Sequence, residues 1–173
     1  MSVLTANSRR DLEIHRYPVP LYLAAPIFAL VLQALLPRVV GRFAYFDLPL
    51  VITIYFALGR RSPIQGMLMG GFMGIFEDAL THHAIGINGI AKTVAGYLAA
   101  SVGVRIDVQN TAIRLGLNFV LSLLCSGIVV FIYRVLLGLE LQWNWLGILF
   151  EGIGNSIIAL FLFPLLDRFQ IRD

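Results

Sequence analysis

The sequence predicts an all-α integral membrane protein with six transmembrane helices. Composition is the first reason: 58% of the 173 residues are hydrophobic, 13% are charged, and the mean hydropathy is +0.83. A soluble domain carries about 25% charged residues, close to twice this fraction. The second reason is that the apolar residues form six runs, most of them too long for strands. No polar stretch is long enough for a separate soluble domain.

The six runs divide the chain into a membrane domain with a short tail at each end. Residues 1–19 and 167–173 are expected to be cytoplasmic tails, and residues 20–166 to hold the six helices. The expected helices are Pro20 to Leu36, Phe43 to Leu58, Pro63 to Leu80, Ile85 to Val104, Ala112 to Leu139 and Trp145 to Leu166. Asp47 and Pro49 interrupt the second run. No small-residue cleavage site follows the first run, so we expect it to remain as an uncleaved helix.

The distribution of arginines predicts that both termini face the cytoplasm. With the N-terminus inside, nine arginines fall on the cytoplasmic side: Arg9, Arg10, Arg16, Arg60, Arg61, Arg105, Arg114, Arg168 and Arg172. Three fall on the outer side: Arg38, Arg42 and Arg134. Cytoplasmic loops of membrane proteins carry such an excess of basic residues. The net charge of +3 therefore needs no nucleic-acid partner, and we expect none.

Small residues predict a close contact between the third and fourth helices. Gly66, Gly70 and Gly74 recur every four residues and therefore share one helical face. The fourth helix carries small faces of its own, one of which includes Gly96. Such faces let two backbones approach closely, and van der Waals contact then drives helix association in lipid. We expect these two helices to form a tight central pair.

Charged residues interrupt the apolar sequence around the end of the third helix. The following residues all map to the outer half of the expected bundle: Glu77, Asp78, His82, His83, Lys92, Arg134 and Glu151. Charged side chains inside a membrane face the bundle interior, pair with one another or line a water-filled cavity. Glu77 and Asp78 point about 100° apart on a helix, so at most one faces the interior together with Lys92. We expect Lys92 to pair with Asp78 or Glu151.

Three uses of this polar cluster stay open: a structural set of ion pairs, a ligand- or partner-lined cavity, and catalysis. The structural use is favoured, because the sequence has no nucleophile with a histidine near it and no metal-ligand spacing. No catalytic residue, metal or cofactor is therefore expected. Gln33, Asn118 and Asn155 are expected to hydrogen-bond across helices. Asn88 is expected to cap the fourth helix, and Cys125 to be a buried, inert thiol.

One long stretch resembles a known family. The sequence "FDLPLVITIYFALGRRSPIQGMLMGGFMGIFEDAL", followed by "GINGIAKTVAGYL", resembles MreD, the rod shape-determining membrane protein family of bacteria. The resemblance extends from about residue 20 to about residue 170. The family motif falls on Gly70, Gly74, Asp78, Gly86, Asn88, Gly96 and Tyr97. It implies a multi-pass protein of the bacterial cytoplasmic (inner) membrane that is not an enzyme.

The resemblance also implies partners. An MreD-like protein is a scaffold of the cell-elongation machinery (the elongasome) that binds MreC, a single-span membrane protein, and helps to position peptidoglycan synthesis for rod shape. Through MreC it associates with a transpeptidase and its glycosyltransferase, and the MreB filament belongs to the same assembly. We expect the MreC-like partner at the second helix and its outer loop, Arg38 to Asp47. A homodimer stays open.

The same resemblance supplies the main alternative. The MreD family is similar in architecture to the substrate-binding subunits of energy-coupling-factor transporters, which have six helices and an outward pocket. The alternative function is therefore a vitamin-binding subunit of such a transporter, with the polar cluster in its pocket. A third class, a small lipid-processing enzyme, would need two membrane acids at opposed positions, and the sequence has no matching motif.

Overall fold

The structure is a computed structural model that describes residues 18–39, 46–82, 84–106, 110–139 and 144–169. Within these ranges the secondary structure is entirely helical, which confirms the predicted all-α class. The helices are α1 (Val19–Val39), α2 (Leu48–Arg60), α3 (Pro63–Thr81), α4 (Ile87–Gly103), α5 (Thr111–Phe131) and α6 (Trp145–Asp167). A five-residue π-helical segment, Ile132–Leu136, extends α5. Most of the two expected tails lies outside the described residues, as do His83 and Arg42.

The helix at the centre of the bundle is α2, whereas the sequence predicted that α3 and α4 would form the central pair. Every residue of α2 from Pro49 to Gly59 is buried, and each of the other five helices contacts it. A helix that is apolar on all sides is typical of a fully enclosed position. The largely apolar stretch from Leu50 to Leu58 is compatible with this position, but it does not by itself distinguish an enclosed helix from one that faces lipid.

The contact between α3 and α4 is close, as the glycine pattern predicted. Each of three glycines of α3 lies against one backbone carbonyl of α4, in the pairs Gly66 with Gly96, Gly70 with Lys92 and Gly74 with Asn88. A Cβ atom at any of these three glycines would overlap the facing carbonyl oxygen. Because early residues of α3 meet late residues of α4, the two helices are antiparallel. The opposite face of α3 is exposed and carries Leu68, Phe72 and Phe76.

An ion pair joins α5 and α6 to the second half of α2. The guanidinium of Arg114, near the start of α5, lies 2.7 Å from a carboxylate oxygen of Asp167, the last residue of α6. The Tyr55 hydroxyl donates a hydrogen bond of 2.8 Å to the same carboxylate. The guanidinium also lies over the rings of Tyr55 and Phe163, 5.2 and 4.7 Å from their centroids. The beginning of α5 and the end of α6 therefore share one end of the bundle.

Among the described residues, two helical segments are long and apolar enough to cross a membrane. They are Thr111–Leu136, which combines α5 with its π-helical extension, and Trp145–Asp167. Two shorter apolar helices, Pro20–Leu36 and Leu48–Arg60, also occur. Large apolar side chains face outward on the periphery of the bundle, for example Phe161, which is 72% exposed.

Candidate functional site

The candidate site lies where α2 begins, in the interior of the bundle. Phe46 and Asp47 precede the helix, and polar side chains of two other helices bind their backbone. Gln33 of α1 donates a hydrogen bond to the Phe46 carbonyl (2.8 Å) and accepts one from the Leu48 N–H (3.2 Å). Asn155 of α6 accepts the N–H of Asp47 at 2.8 Å. These bonds satisfy backbone groups that would otherwise be costly to bury.

Lys92 of α4 is the cation of the site, and its side chain is completely buried. Its Nζ lies 2.7 Å from Oδ2 of Asp47 and donates a hydrogen bond to Oε2 of Glu77 on α3. The Asp47 and Glu77 side chains are only 13% and 8% exposed. Oδ1 of Asp47 also accepts the Leu50 N–H at 2.8 Å, which caps α2. We call the three residues Asp47, Glu77 and Lys92 the ionic clasp.

The partners of Lys92 differ from those expected. The sequence predicted Asp78 or Glu151, but the two acids that contact Lys92 are Asp47 and Glu77. Of the adjacent acids on α3, Glu77 points toward Lys92, and Asp78 is rotated away by the helical turn between neighbouring residues. Glu151 lies on α6 beside Ser126 of α5, and among the described residues it forms no ion pair with the lysine, although the two charges are close enough to interact.

Asp78 organises the loop that leads into α4. Its Oδ2 accepts the backbone N–H groups of Gly86 (2.8 Å) and Asn88 (3.2 Å), and its Oδ1 accepts the Asn88 side-chain amide (2.7 Å). Gly86 is the N-cap residue, with φ at +99°, a conformation that favours glycine. Asn88 therefore binds Asp78 and lies inside α4, where the sequence predicted that it would cap the helix. The remaining motif residue, Tyr97, is 45% exposed on the outer face of α4.

Hydrogen bonds extend the ionic clasp to the rest of the bundle. The Asn155 side-chain amide donates to the Ser122 hydroxyl of α5 at 3.2 Å. One connected polar network thus includes a residue from each helix: Gln33 of α1, Asp47 at the start of α2, Glu77 of α3, Lys92 of α4, Ser122 of α5 and Asn155 of α6. Asn118 behaves differently from the prediction: it is buried, and its side-chain atoms have no hydrogen-bond partner among the described residues.

Sequence reasoning missed the role of Asp47, which it treated as an interruption of the second apolar run. The signal that could have identified it is local. An aspartate followed within two residues by proline, here Pro49 in the first turn, is typical of a helix N-terminus. A carboxylate that caps a fully buried helix needs a buried cation to compensate its charge. Lys92 is the single lysine in the sequence and lies within an apolar run, which makes it the candidate.

The contacts of the ionic clasp join three helices of the bundle: Asp47 at the start of α2, Glu77 on α3 and Lys92 on α4. Its charged atoms face one another and the N-terminus of α2. Among the described residues no group of three metal-ligating side chains is placed to hold a metal ion. His82 ends α3 at the surface and does not join the cluster. A groove of about 620 Å³ runs between α1 and α3, but Glu77, Asp78, Lys92 and Glu151 do not line it.

The fold and the site together define a class of protein: an all-helical bundle in which six helices are joined by buried polar contacts. Comparisons of the chain with models of protein families, with curated proteins and with solved structures gave no match. The proposals that follow therefore rest on the geometry of the bundle and on the resemblance of its sequence.

Proposed function

We propose that the chain is a six-span protein of the bacterial cytoplasmic membrane with both termini in the cytoplasm. The distribution of side chains supports this proposal. Large apolar side chains face outward on the periphery, while the ionic clasp and its hydrogen-bond partners face inward. This is the arrangement that a hydrocarbon solvent favours.

The short central helix is compatible with a membrane location. At 13 residues α2 is about 20 Å long, less than the roughly 30 Å of a hydrocarbon core. Non-helical backbone inside the hydrocarbon core is tolerated where other protein groups hydrogen-bond its N–H and C=O groups. Gln33 and Asn155 supply those groups for the residues that precede α2.

The topology is testable by labelling single cysteines in a Cys125→Ser background. A cysteine at residue 82 or 142 is expected to react with a membrane-impermeant thiol reagent added from outside intact cells. Residues 61 and 107 serve as matched loop positions, and cysteines there are expected to react only after the membrane is opened. If a cysteine at residue 82 reacted only after the membrane was opened, the proposed orientation of the six spans would be wrong.

We further propose that the chain is a non-enzymatic, MreD-like scaffold of the cell-elongation machinery. It would hold an MreC-like single-span protein and help to position peptidoglycan synthesis for rod shape. The observation that carries this proposal is the internal pairing of the buried charges: Lys92 with Asp47 and Glu77, and Asp78 with the loop before α4. Groups paired in this way hold the helices together, and the surface left for binding is mainly the apolar exterior of the bundle.

The partner would bind at a different surface from the one that the sequence suggested. We expected the second helix and the segment Arg38 to Asp47 to receive it, but α2 is enclosed by the other five helices. Residues 40–45 of that segment lie outside the described residues. A partner helix would therefore pack on the peripheral helices.

Co-expression tests this function. The chain, carrying an affinity tag, and an MreC-like protein are produced together and purified in mild detergent. We expect the two proteins to co-elute as a complex that survives gel filtration. An unrelated single-span protein of equal hydrophobicity is the control, and equal recovery of both would contradict specific partner binding.

A vitamin-binding transporter subunit remains the alternative, and one observation favours it. The groove of about 620 Å³ falls within the roughly 300–1,000 Å³ of small-molecule pockets. Its lining is almost entirely apolar, however, and contains none of the acids of the polar cluster. Tight binding of a vitamin by the purified chain, with no affinity for the MreC-like protein, would establish this alternative in place of the scaffold.

A further inference from the structure

The groove between α1 and α3 is long, apolar and open on its outer side. Its α3 wall extends from Gln65 to Leu80, about 22 Å at the rise of an α-helix. Leu23 and Ile27 of α1 and Phe72 of α3 line it, and these three side chains are 59%, 60% and 62% exposed. A surface this exposed and this apolar needs an apolar occupant.

The shape of the groove suits a flexible chain better than a second helix. Helices associate in lipid through small residues that let their backbones approach. On α3 those residues are Gly66, Gly70 and Gly74, and α4 already covers all three. The wall of the groove carries bulky side chains instead, including Met69 and Phe72. Such side chains hold a backbone at a distance but can pack around a methylene chain.

The charge at one end of the groove indicates the polar part of the occupant. Arg60, the last residue of α2, lines that end beside Gln65 and lies over the ring of Tyr22, 4.8 Å from its centroid. Its guanidinium makes no hydrogen bond or ion pair with the described residues; the Nε is buried, and the two terminal Nη groups are the donors that can reach an occupant. No acidic side chain is part of the lining. The guanidinium therefore has donors free for an anion, and phosphate is an anion that arginine binds well.

We infer that this groove binds one anionic phospholipid, with an acyl chain between α1 and α3 and the phosphate at the Arg60 guanidinium. Basic pockets between membrane helices bind anionic headgroups in this way. Lipid binding of this kind is independent of the MreC-like partner, because the groove is formed by the chain alone. The groove would thus select lipid by its charge.

Quenching of tryptophan fluorescence by brominated lipids tests the site. The two native tryptophans are replaced by phenylalanine, and one tryptophan is introduced in the groove by Phe72→Trp. The matched control is Ile157→Trp on α6, which lies outside the groove. Phe72 and Ile157 lie nine and ten residues from the same end of the bundle, and Ile157 is 54% exposed. Each protein is reconstituted with brominated phosphatidylglycerol or brominated phosphatidylcholine at equal mole fraction.

At the groove position we expect an apparent affinity for phosphatidylglycerol about fivefold higher than for phosphatidylcholine, the ratio given by one arginine near an anionic headgroup. Arg60→Gln should remove the preference and Arg60→Lys should retain most of it. The control position should be quenched equally by both lipids.

Equal quenching by the two lipids at both positions, or the same preference for phosphatidylglycerol at both positions, would overturn the inference. No quenching at the groove position would also overturn it, because a protein surface would then cover the groove. If Arg60→Gln fails to fold, the difference in lipid preference between the Phe72→Trp and Ile157→Trp proteins still tests the inference.

Discussion

Replacing Gly70 with leucine is expected to abolish the folded yield of the protein. A Cβ atom at this position would overlap the backbone carbonyl of Lys92, and a backbone cannot move aside as a flexible side chain can. Overpacking an ordinary core costs about 1–3 kcal/mol. Separation of α3 from α4 should cost more, because it would also pull Glu77 away from Lys92. The measurement is the monodisperse fraction of a fluorescent fusion on gel filtration in mild detergent.

Gly116 of α5 supplies the matched control. It also lies inside a helix, but a Cβ atom there would meet nothing within 4 Å. Gly116→Leu should therefore give a folded yield close to that of the wild-type chain. Equal yields for Gly70→Leu and Gly116→Leu would mean that the α3–α4 contact is not close, contrary to the structure.

Replacing Lys92 with methionine is the second change with a large expected effect. Asp47 and Glu77 would then remain buried close together without their cation. Breaking a buried ion pair on one side costs about 3–5 kcal/mol, because the remaining charge is uncompensated. We expect the midpoint of unfolding, measured by titration with a denaturing detergent, to fall steeply.

Second substitutions identify which acids contact the lysine. In the Lys92→Met background, Glu77→Gln should restore part of the lost stability, since it removes one of the two uncompensated charges. Glu151→Gln should restore less, because Glu151 lies beside Ser126 and forms no ion pair with Lys92. The reverse order of rescue would contradict the geometry of the ionic clasp.

The number and approximate location of the helices could be predicted from the sequence, but the start of α2, expected near Phe43 and found at Leu48, and the position of each helix in the bundle could not. Apolar runs bounded by polar or proline residues indicate helices, and each expected run overlaps one helix. The glycine spacing predicted which face of α3 meets α4. The central position of α2 depends on how all six helices pack, and each apolar run alone is compatible with either a lipid-facing or an enclosed position.

The partner of Lys92 was mispredicted for a related reason. Glu77 and Asp78 are adjacent, and a rotation of α3 by about 100° exchanges the residue that faces α4. The close glycine contacts of α3 fix that rotation, so the choice depends on three-dimensional packing. Asp47 is 45 residues from Lys92 in the sequence, and only the enclosure of α2 brings the two together.

Native mass spectrometry of the affinity-purified chain, released from the membranes of its own cell in mild detergent, tests the proposed scaffold most directly. The scaffold proposal predicts a complex of the chain with an MreC-like single-span protein, and no bound vitamin. The complex should persist in the Gly116→Leu protein, which retains the fold. A chain that carries a bound vitamin, or that elutes with an ATPase module and without a single-span wall protein, would contradict the scaffold and identify a transporter subunit.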